Sequence, residues 1–220
     1  GTFSALVAGG IWVAREHLAR VWRKAWSGDP DIDDSHEVMS YRASVITIVA
    51  SVAFILMWLN AVGVSFPVSI LLVYAVITLY LGLTRIVIEG GLVFVRGPLL
   101  PQAFAMHSIG PGSLGPRTMT GLALSYAWAC DPIANYMPFA ANASRIHTDQ
   151  GLRRSSYVTA MALGLVISLV VSFWFSLTLA YGTGGYNFGG WIFGRGGQVP
   201  FDTIVTKIKA GQGVQPWYYA

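Results

Sequence analysis

The sequence predicts an all-α protein: a polytopic transmembrane helix bundle with one broken or re-entrant segment. Hydrophobic residues account for 54% of the 220 positions and charged residues for only 11%, less than half of the roughly 25% that is typical of soluble domains. The chain also contains three charge-free apolar stretches of about 18 residues or more, the length that a spanning helix requires. This composition excludes a disordered chain, a coiled coil and a nucleic-acid-binding module with a basic surface.

Three full spanning helices are predicted, over residues 43–63, 66–89 and 158–181. The first and third ranges contain no charged side chain, and the second contains none before Arg85. Because lipid offers the backbone no hydrogen-bond partners, each range must pair its own N–H and C=O groups as an α-helix.

Residues 1–14 are apolar but cover only about half of a membrane. Their cations follow the apolar run, whereas a secretory signal carries its cations in front of that run. We therefore expect residues 1–14 to be the end of a spanning helix whose beginning lies outside this sequence, and the chain to be a fragment of a longer protein.

Residues 15–42 are predicted to be a cytoplasmic linker. Its first part mixes large apolar residues with four cations, Arg15, Arg20, Arg23 and Lys24. The favoured interpretation is a solvated helix end whose cations extend towards water, and the alternative is a site for lipid headgroups.

The distribution of cations predicts the orientation of the spans. Residues 15–42 and 145–154 are basic loops, which the positive-inside rule places in the cytoplasm, whereas the turn near residues 62–65 carries no cation and belongs outside. The end of the second span then returns to the cytoplasm, and we expect Arg85 and Arg117 on that side.

Residues 91–141 are predicted to follow a broken or re-entrant path. Proline and glycine recur through this range, and Asp131-Pro132 interrupts its last apolar stretch. The two basic loops share the cytoplasmic side only if this segment enters and leaves the membrane on that side. Irregular backbone at this depth must be buried in protein or line a water-filled cavity.

Four polar residues are candidates for lining a substrate or ion path: Arg85, Glu89, Asp131 and Asn135. Arg85 and Glu89 are four residues apart, so they share a helix face and can pair. A functional pair and a neutralised pair at a helix end are equally consistent with this spacing. Asp131 serves either as a coupling carboxylate or as an N-cap in front of Pro132.

The last span carries a small residue at every fourth position, which predicts a helix-packing stripe. A stripe of this kind lets a second helix approach closely, and a ligand-lining face is the less favoured alternative. The stripe consists of Ala160, Gly164, Ser168, Ser172, Ser176 and Ala180.

The sequence contains no pattern typical of an enzyme or of a bound cofactor. His107 and His147 have no neighbours at metal-ligand spacing, so we expect no metal site. No nucleophile elbow, P-loop or dinucleotide fingerprint is present, so we expect neither catalysis nor a cofactor.

Residues 182–220 are predicted to form an extramembrane Gly/aromatic loop followed by an amphipathic helix on the outer surface. Tyr186 and Trp191 are typical of residues at a membrane interface. In the helix, apolar residues from Phe201 to Ile208 repeat at helical spacing, with Lys207 and Lys209 expected on the opposite face.

Several short strings along the chain are distinctive when taken together. They are Ser40-Tyr41-Arg42, Tyr80–Gly91, Tyr181-Gly182, Asn187, Trp191 with Phe193, and Phe201-Asp202. These strings resemble a largely uncharacterised family of large bacterial integral membrane proteins that often carry a peptide-transporter label, and that family is more loosely similar to the oligopeptide transporter superfamily. The resemblance implies a long chain with many spans in the bacterial cytoplasmic (inner) membrane, of which this sequence is an interior portion.

Two functions are compatible with these observations. The leading one is part of a secondary transporter for a small polar solute such as a peptide. The alternative is a non-catalytic structural or scaffold subunit of a larger membrane complex. In both cases the expected partners are the lipid bilayer and further transmembrane helices of the same chain or of partner subunits, without nucleic acid.

Overall fold

A computed structural model of the chain describes residues 2–29, 31–34, 37, 39–92, 95, 97, 100–129, 136–151, 154–184 and 195–210. All regular secondary structure in these residues is helical, which confirms the predicted all-α class. The α-helices are α1 (Thr2–Val13), α2 (Arg15–Ser27), α3 (Tyr41–Val62), α4 (Phe66–Gly90), α5 (Pro101–Ile109), α6 (Pro116–Ala129), α7 (Tyr136–Gln150), α8 (Arg154–Thr183) and α9 (Val199–Ala210).

Three of these helices, α3, α4 and α8, are long and apolar enough to cross a membrane. Their 22, 25 and 30 residues correspond to lengths of about 33, 37 and 45 Å, compared with a hydrocarbon core of about 30 Å. They coincide with the three predicted spans and mark the chain as a membrane protein.

α3 and α4 form a hairpin around a tight turn. Gly63 ends α3 in the left-handed region, at φ 110°, and its N–H donates to the carbonyls of Leu59 and Asn60. Ser65 then caps α4 from an extended conformation, and Pro67 follows in the first turn, where a missing N–H leaves no helical bond unmade. We call the end of the hairpin that holds residues 62–65 the turn end, and the opposite end the Glu89 end.

α4 is the central helix of the described structure. In its most apolar stretch 44% of the residues are buried, compared with 6% in α3 and none in α8. Helices α1, α3, α5 and α7 all pack against it. Phe3 of α1 lies against Gly82, where a Cβ atom would collide with the phenyl ring.

The segment after α4 runs to the turn end and then back. Gly97 lies beside Leu79 and Leu83, and α5 packs along α4. After a short 3-10 turn at Pro111–Ser113, α6 begins at the turn end, where Thr118 Oγ1 accepts a hydrogen bond from the N–H of Ser65 at 3.3 Å.

The other end of α6 has returned part of the way towards the Glu89 end. There the hydroxyl of Tyr80 donates to the carbonyl of Trp128 at 3.4 Å. Residues 130–135, between α6 and α7, lie outside the described residues, and the predicted re-entrant segment ends in the first turns of α7.

Arg117 differs from the sequence prediction. It lies at the turn end, because a Cβ atom on Gly63 would be only 2.6 Å from Arg117 Cγ. Arg85 and Glu89 lie at the other end of α4. The positive-inside rule counts cations in loops and so places Arg117 at the same end of the bundle as Arg85. The aliphatic carbons of Arg117 pack on Gly63, however, and this contact places Arg117 at the turn end.

The position of α9 on the outer surface stays a prediction, but the residues that it turns towards the protein differ from the expected ones. α9 packs against α6, with Ile204 only 4% exposed. Lys207 follows Ile204 by three residues and shares its protein-facing side, while Phe201, Val205 and Ile208 are the exposed residues. Amphipathic spacing was therefore present, but the expected division between buried and exposed residues was wrong.

Candidate functional site

Arg85 and Glu89 form the predicted ion pair. Arg85 Nε donates to Glu89 Oε1 at 2.7 Å, and Arg85 Nη1 donates to the carbonyl of Leu6 on α1 at 3.3 Å. Gly10 leaves room for the guanidinium, since a Cβ atom there would be 2.8 Å from Nη1. The pair connects α4 to α1 at an exposed position, with the Glu89 side chain 62% exposed.

The participation of this pair in a substrate or ion path stays a prediction. Asp131 and Asn135, the other two path candidates, lie outside the described residues. The described contacts of Arg85 and Glu89 therefore support a connection between two helices at the Glu89 end.

The packing stripe on α8 faces no neighbouring helix in the described structure. No residue in the most apolar stretch of α8 is buried, and a Cβ atom on Gly164 would have no atom within 4 Å. At its beginning α8 contacts α7, where the Tyr157 hydroxyl donates to the carbonyl of Ala140 at 3.2 Å. The use of the stripe for packing thus stays a prediction about contacts beyond this chain segment.

A buried polar pair joins α5 to α6. Gln102 Nε2 donates to Ser125 Oγ at 3.2 Å, Ser125 Oγ donates to the carbonyl of Leu122 at 2.7 Å, and both side chains are fully buried. Gln102 Oε1 has no hydrogen-bond partner among the described residues. A buried amide oxygen without a donor costs about 1–3 kcal/mol, so this atom is suited to accept a hydrogen bond from a bound N–H or O–H group.

The depth of this pair follows from the length of α6. Ser125 lies nine residues after Pro116, which puts it about 14 Å from the turn end along α6. α4, alongside, is about 37 Å long, so the Gln102–Ser125 pair lies near the middle of the bundle.

A second polar contact joins α5 to α9. Lys207 Nζ lies 3.0 Å from His107 Nε2, and His107 is 2% exposed. Burial lowers the pKa of His107, and the positive charge of Lys207 lowers it further; burial also lowers the pKa of Lys207. A neutral imidazole protonated on Nδ1 can accept the lysine N–H on Nε2. Both residues lie outside the three candidate spans, and α9 also contacts the turn at Pro111–Ser113.

This contact predicts that the protein loses stability in mild acid. The pKa of His107 is lower in the folded chain than its ordinary value of about 6.5, so the unfolded chain binds more protons as the pH falls below about 6.5. The free energy of unfolding therefore decreases when the pH is lowered from 7.5 to 5.5, because protonated His107 repels Lys207. Thermal unfolding of the purified protein at both pH values measures this loss.

The control separates His107 from other titrating groups. His107→Gln should reduce the difference in unfolding temperature between the two pH values, whereas His17→Gln, at an exposed position of α2 beside the ring of Tyr41, should leave it unchanged. An equal pH difference in His107→Gln and the unmodified protein would contradict the assignment.

Sequence reasoning missed both polar contacts. Lys207 and His107 are 100 residues apart, and no local spacing connects them. Gln102 and Ser125 are 23 residues apart on two short helices whose packing is a tertiary property. The one feature of the sequence that could have indicated the Gln102–Ser125 contact is the single glutamine within the apolar stretch of α5. Among the residues that the structure describes, no group of three or more His, Cys, Asp and Glu side chains is placed to hold a metal ion.

The whole chain, residues 1–220, matches a family model described as a family of unknown function, DUF6785. The chain belongs to this family. No curated protein and no solved structure matches this DUF6785 chain. The family description carries no transport activity, so the resemblance to peptide transporters remains an expectation.

Proposed function

We propose that this chain is part of a secondary transporter that moves a small polar solute, such as a peptide, across the bacterial cytoplasmic membrane. The observation that carries the proposal is the buried Gln102–Ser125 pair, which presents an amide oxygen without a hydrogen-bond donor in the middle of the bundle. Polar groups inside membrane bundles are costly and commonly mark substrate or ion paths.

The helices that carry the pair support this proposal. α5 and α6 have 9 and 14 residues and lengths of about 14 and 21 Å, so neither crosses a hydrocarbon core of about 30 Å alone. Both pack beside the full-length span α4 or its turn. Discontinuous helices of this kind, at mid-membrane depth, form the substrate sites of many secondary transporters.

In this proposal the Glu89 end faces the cytoplasm and the turn end faces outwards. Arg85 and Glu89 then lie at the cytoplasmic mouth of the path. Gln102 Oε1 accepts a hydrogen bond from the solute, and a peptide N–H is a donor of the right kind.

Uptake by proteoliposomes tests the proposal. The full chain is reconstituted, a pH gradient is imposed, and entry of radiolabelled trialanine is measured against protein-free vesicles. Gln102→Leu removes the accepting oxygen while Ser125 keeps its bond to Leu122, so we expect about a tenfold loss of uptake, equivalent to one buried hydrogen bond of about 1.4 kcal/mol.

The matched control is Gln150→Leu, which makes the same change at an exposed position at the end of α7 and should keep uptake within about twofold. An unfolding temperature equal to that of the unmodified protein shows that Gln102→Leu is folded. Uptake no greater than in empty vesicles, or equal uptake by both variants, would overturn the proposal.

A scaffold function is the second candidate, and the exposure of α8 favours it. A 30-residue apolar helix without buried residues in its most apolar stretch, bearing small residues at every fourth position, offers a face for helices of other subunits. Native mass spectrometry after extraction in mild detergent would detect stoichiometric partners. Under this hypothesis Gly164→Leu releases a partner that Leu163→Ala retains, and a lone protomer in both cases contradicts it.

A further inference from the structure

α2 packs against α3 without burying any of its own residues. It has no buried residue, and it continues α1 almost without interruption, because the N–H groups of Ala14 and Leu18 donate to the carbonyls of Gly10 and Ala14. Its first turn lies beside the first turn of α3, where the rings of His17 and Tyr41 meet edge to face with centroids 6.0 Å apart. α2 therefore begins at the Glu89 end, where a candidate span also begins.

The apolar side of α2 is turned away from the protein. Ile11, Leu18, Trp22 and Trp26 recur at helical spacing, and their exposure ranges from 44% for Leu18 to 85% for Trp26. The indoles of Trp22 and Trp26 are nearly parallel, with an interplanar angle of 9° and centroids 6.2 Å apart. Together with Arg15 and Arg23 these residues line a shallow groove along the helix.

Two cations, Arg15 and Arg23, lie along this apolar side, whereas Lys24 Nζ donates to the carbonyl of Asp29 at 2.8 Å. The 13 residues of α2 contain four cations, Arg15, Arg20, Arg23 and Lys24, and a single carboxylate, Glu16. Arg15 lies over the indole of Trp12, with its guanidinium carbon 4.8 Å from the ring centroid. A guanidinium held against an aromatic ring and exposed to solvent can still donate to a phosphate oxygen.

We propose that α2 binds the surface of an anionic phospholipid leaflet at the Glu89 end. Its tryptophans enter the interface between headgroups and acyl chains, and Arg15 and Arg23 contact the lipid phosphates. A strongly segregated apolar side, tryptophan on that side and several cations around it are typical of helices that lie on membranes. Four cations that directly follow an apolar helix are also the pattern that attracts anionic lipids.

Charge and position favour lipid over a protein partner. A solvated helix end would leave four large apolar side chains in water, and a purely apolar partner helix would leave the cations beside them unmatched. An apolar layer bordered by anions satisfies both the apolar residues and the arginines of this groove. This inference does not depend on transport, so it stands or fails separately from the proposed function.

The test uses the full chain in lipid nanodiscs. An environment-sensitive NBD fluorophore is attached at Ala19→Cys, in the groove, after Cys130→Ala removes the one native thiol. Its fluorescence is compared in discs of phosphatidylcholine alone and in discs with about 30% phosphatidylglycerol. We expect at least a twofold rise with the anionic lipid, reversed by 0.5 M salt because salt screens charge contacts.

Two charge variants decide the assignment. Arg15→Gln with Arg23→Gln should abolish the rise, since both arginines line the groove, while the control pair Arg195→Gln with Lys209→Gln removes the same charge elsewhere and should keep it. The unfolding temperature of the first pair should be unchanged, since α2 has no buried residue.

Three outcomes would overturn the proposal. A rise that persists in the variant without Arg15 and Arg23 places the lipid contact elsewhere. A signal that ignores lipid charge assigns the groove to a protein partner. A rise in phosphatidylcholine discs on addition of inorganic phosphate identifies a site for free anions and not for a leaflet.

Discussion

Gly121→Leu should destabilise the chain by about 3 kcal/mol, since it forces a side chain into the contact between α6 and the turn end. A Cβ atom on Gly121 would lie 2.6 Å from Val64 Cγ2 and 3.3 Å from the backbone nitrogen of Val64. Val64 is 1% exposed, and its backbone continues the tight turn after Gly63, so neither can move aside cheaply. Where there is room for the side chain, replacing glycine by leucine stabilises a helix by about 1 kcal/mol. The steric cost of the collision with Val64 must therefore exceed this stabilisation for the chain to lose stability.

Equilibrium unfolding in mixed micelles with increasing denaturing detergent measures the loss. Gly9→Leu is the matched control, because Gly9 also lies within a helix and a Cβ atom there has no neighbour within 4 Å. We expect this control to be neutral or slightly stabilising. Equal effects at both glycines would show that α6 does not contact the turn as described.

Leu122→Ala should destabilise the chain by about 3 kcal/mol as well, but through a cavity instead of a collision. Leu122 is fully buried in the main hydrophobic cluster, together with Leu72 of α4 and Met119 of α6. Tight packing is a main source of stability between membrane helices, so removing three carbons here removes contacts that lipid cannot replace.

Leu124→Ala is the control for this cavity. Leu124 lies on the same helix, only two residues away, and is 44% exposed. Its truncation should cost less than about 1 kcal/mol in the same unfolding experiment. A cost at Leu124 equal to that at Leu122 would place both sides of α6 in protein contact and contradict the described burial.

The spans were predictable because one physical property determines them. A charge-free apolar run must become a helix in lipid, so the range 43–63 was recovered as Tyr41–Val62, with Ser40 capping the N–H of Ala43 at 3.4 Å. The pairing of Arg85 with Glu89 was predictable for a similar reason, since four residues of α-helix fix their relative position.

The rest depended on contacts that no local pattern contains. Arg117 was expected beside Arg85, but its carbons pack on Gly63 at the other end. The apolar period of α9 was visible, yet nothing in that period distinguishes Ile204, which faces α6, from Phe201, which does not. The break between α5 and α6 was visible in the glycines and prolines of residues 110–116, but the meeting of Gln102 with Ser125 across that break is a property of tertiary packing.

The contact of α1 with α4 affects the order in which the helices can assemble during synthesis. Leu6 receives its hydrogen bond from Arg85, 79 residues later in the chain, so α1 is synthesised well before its docking surface exists. At ribosomal rates of about 5–20 residues per second, α1 waits roughly 4–16 s for α4 to be made. Biogenesis must therefore keep the first helix undocked and protected from other partners until the hairpin arrives, and a pause in translation within residues 66–90 would prolong that vulnerable interval.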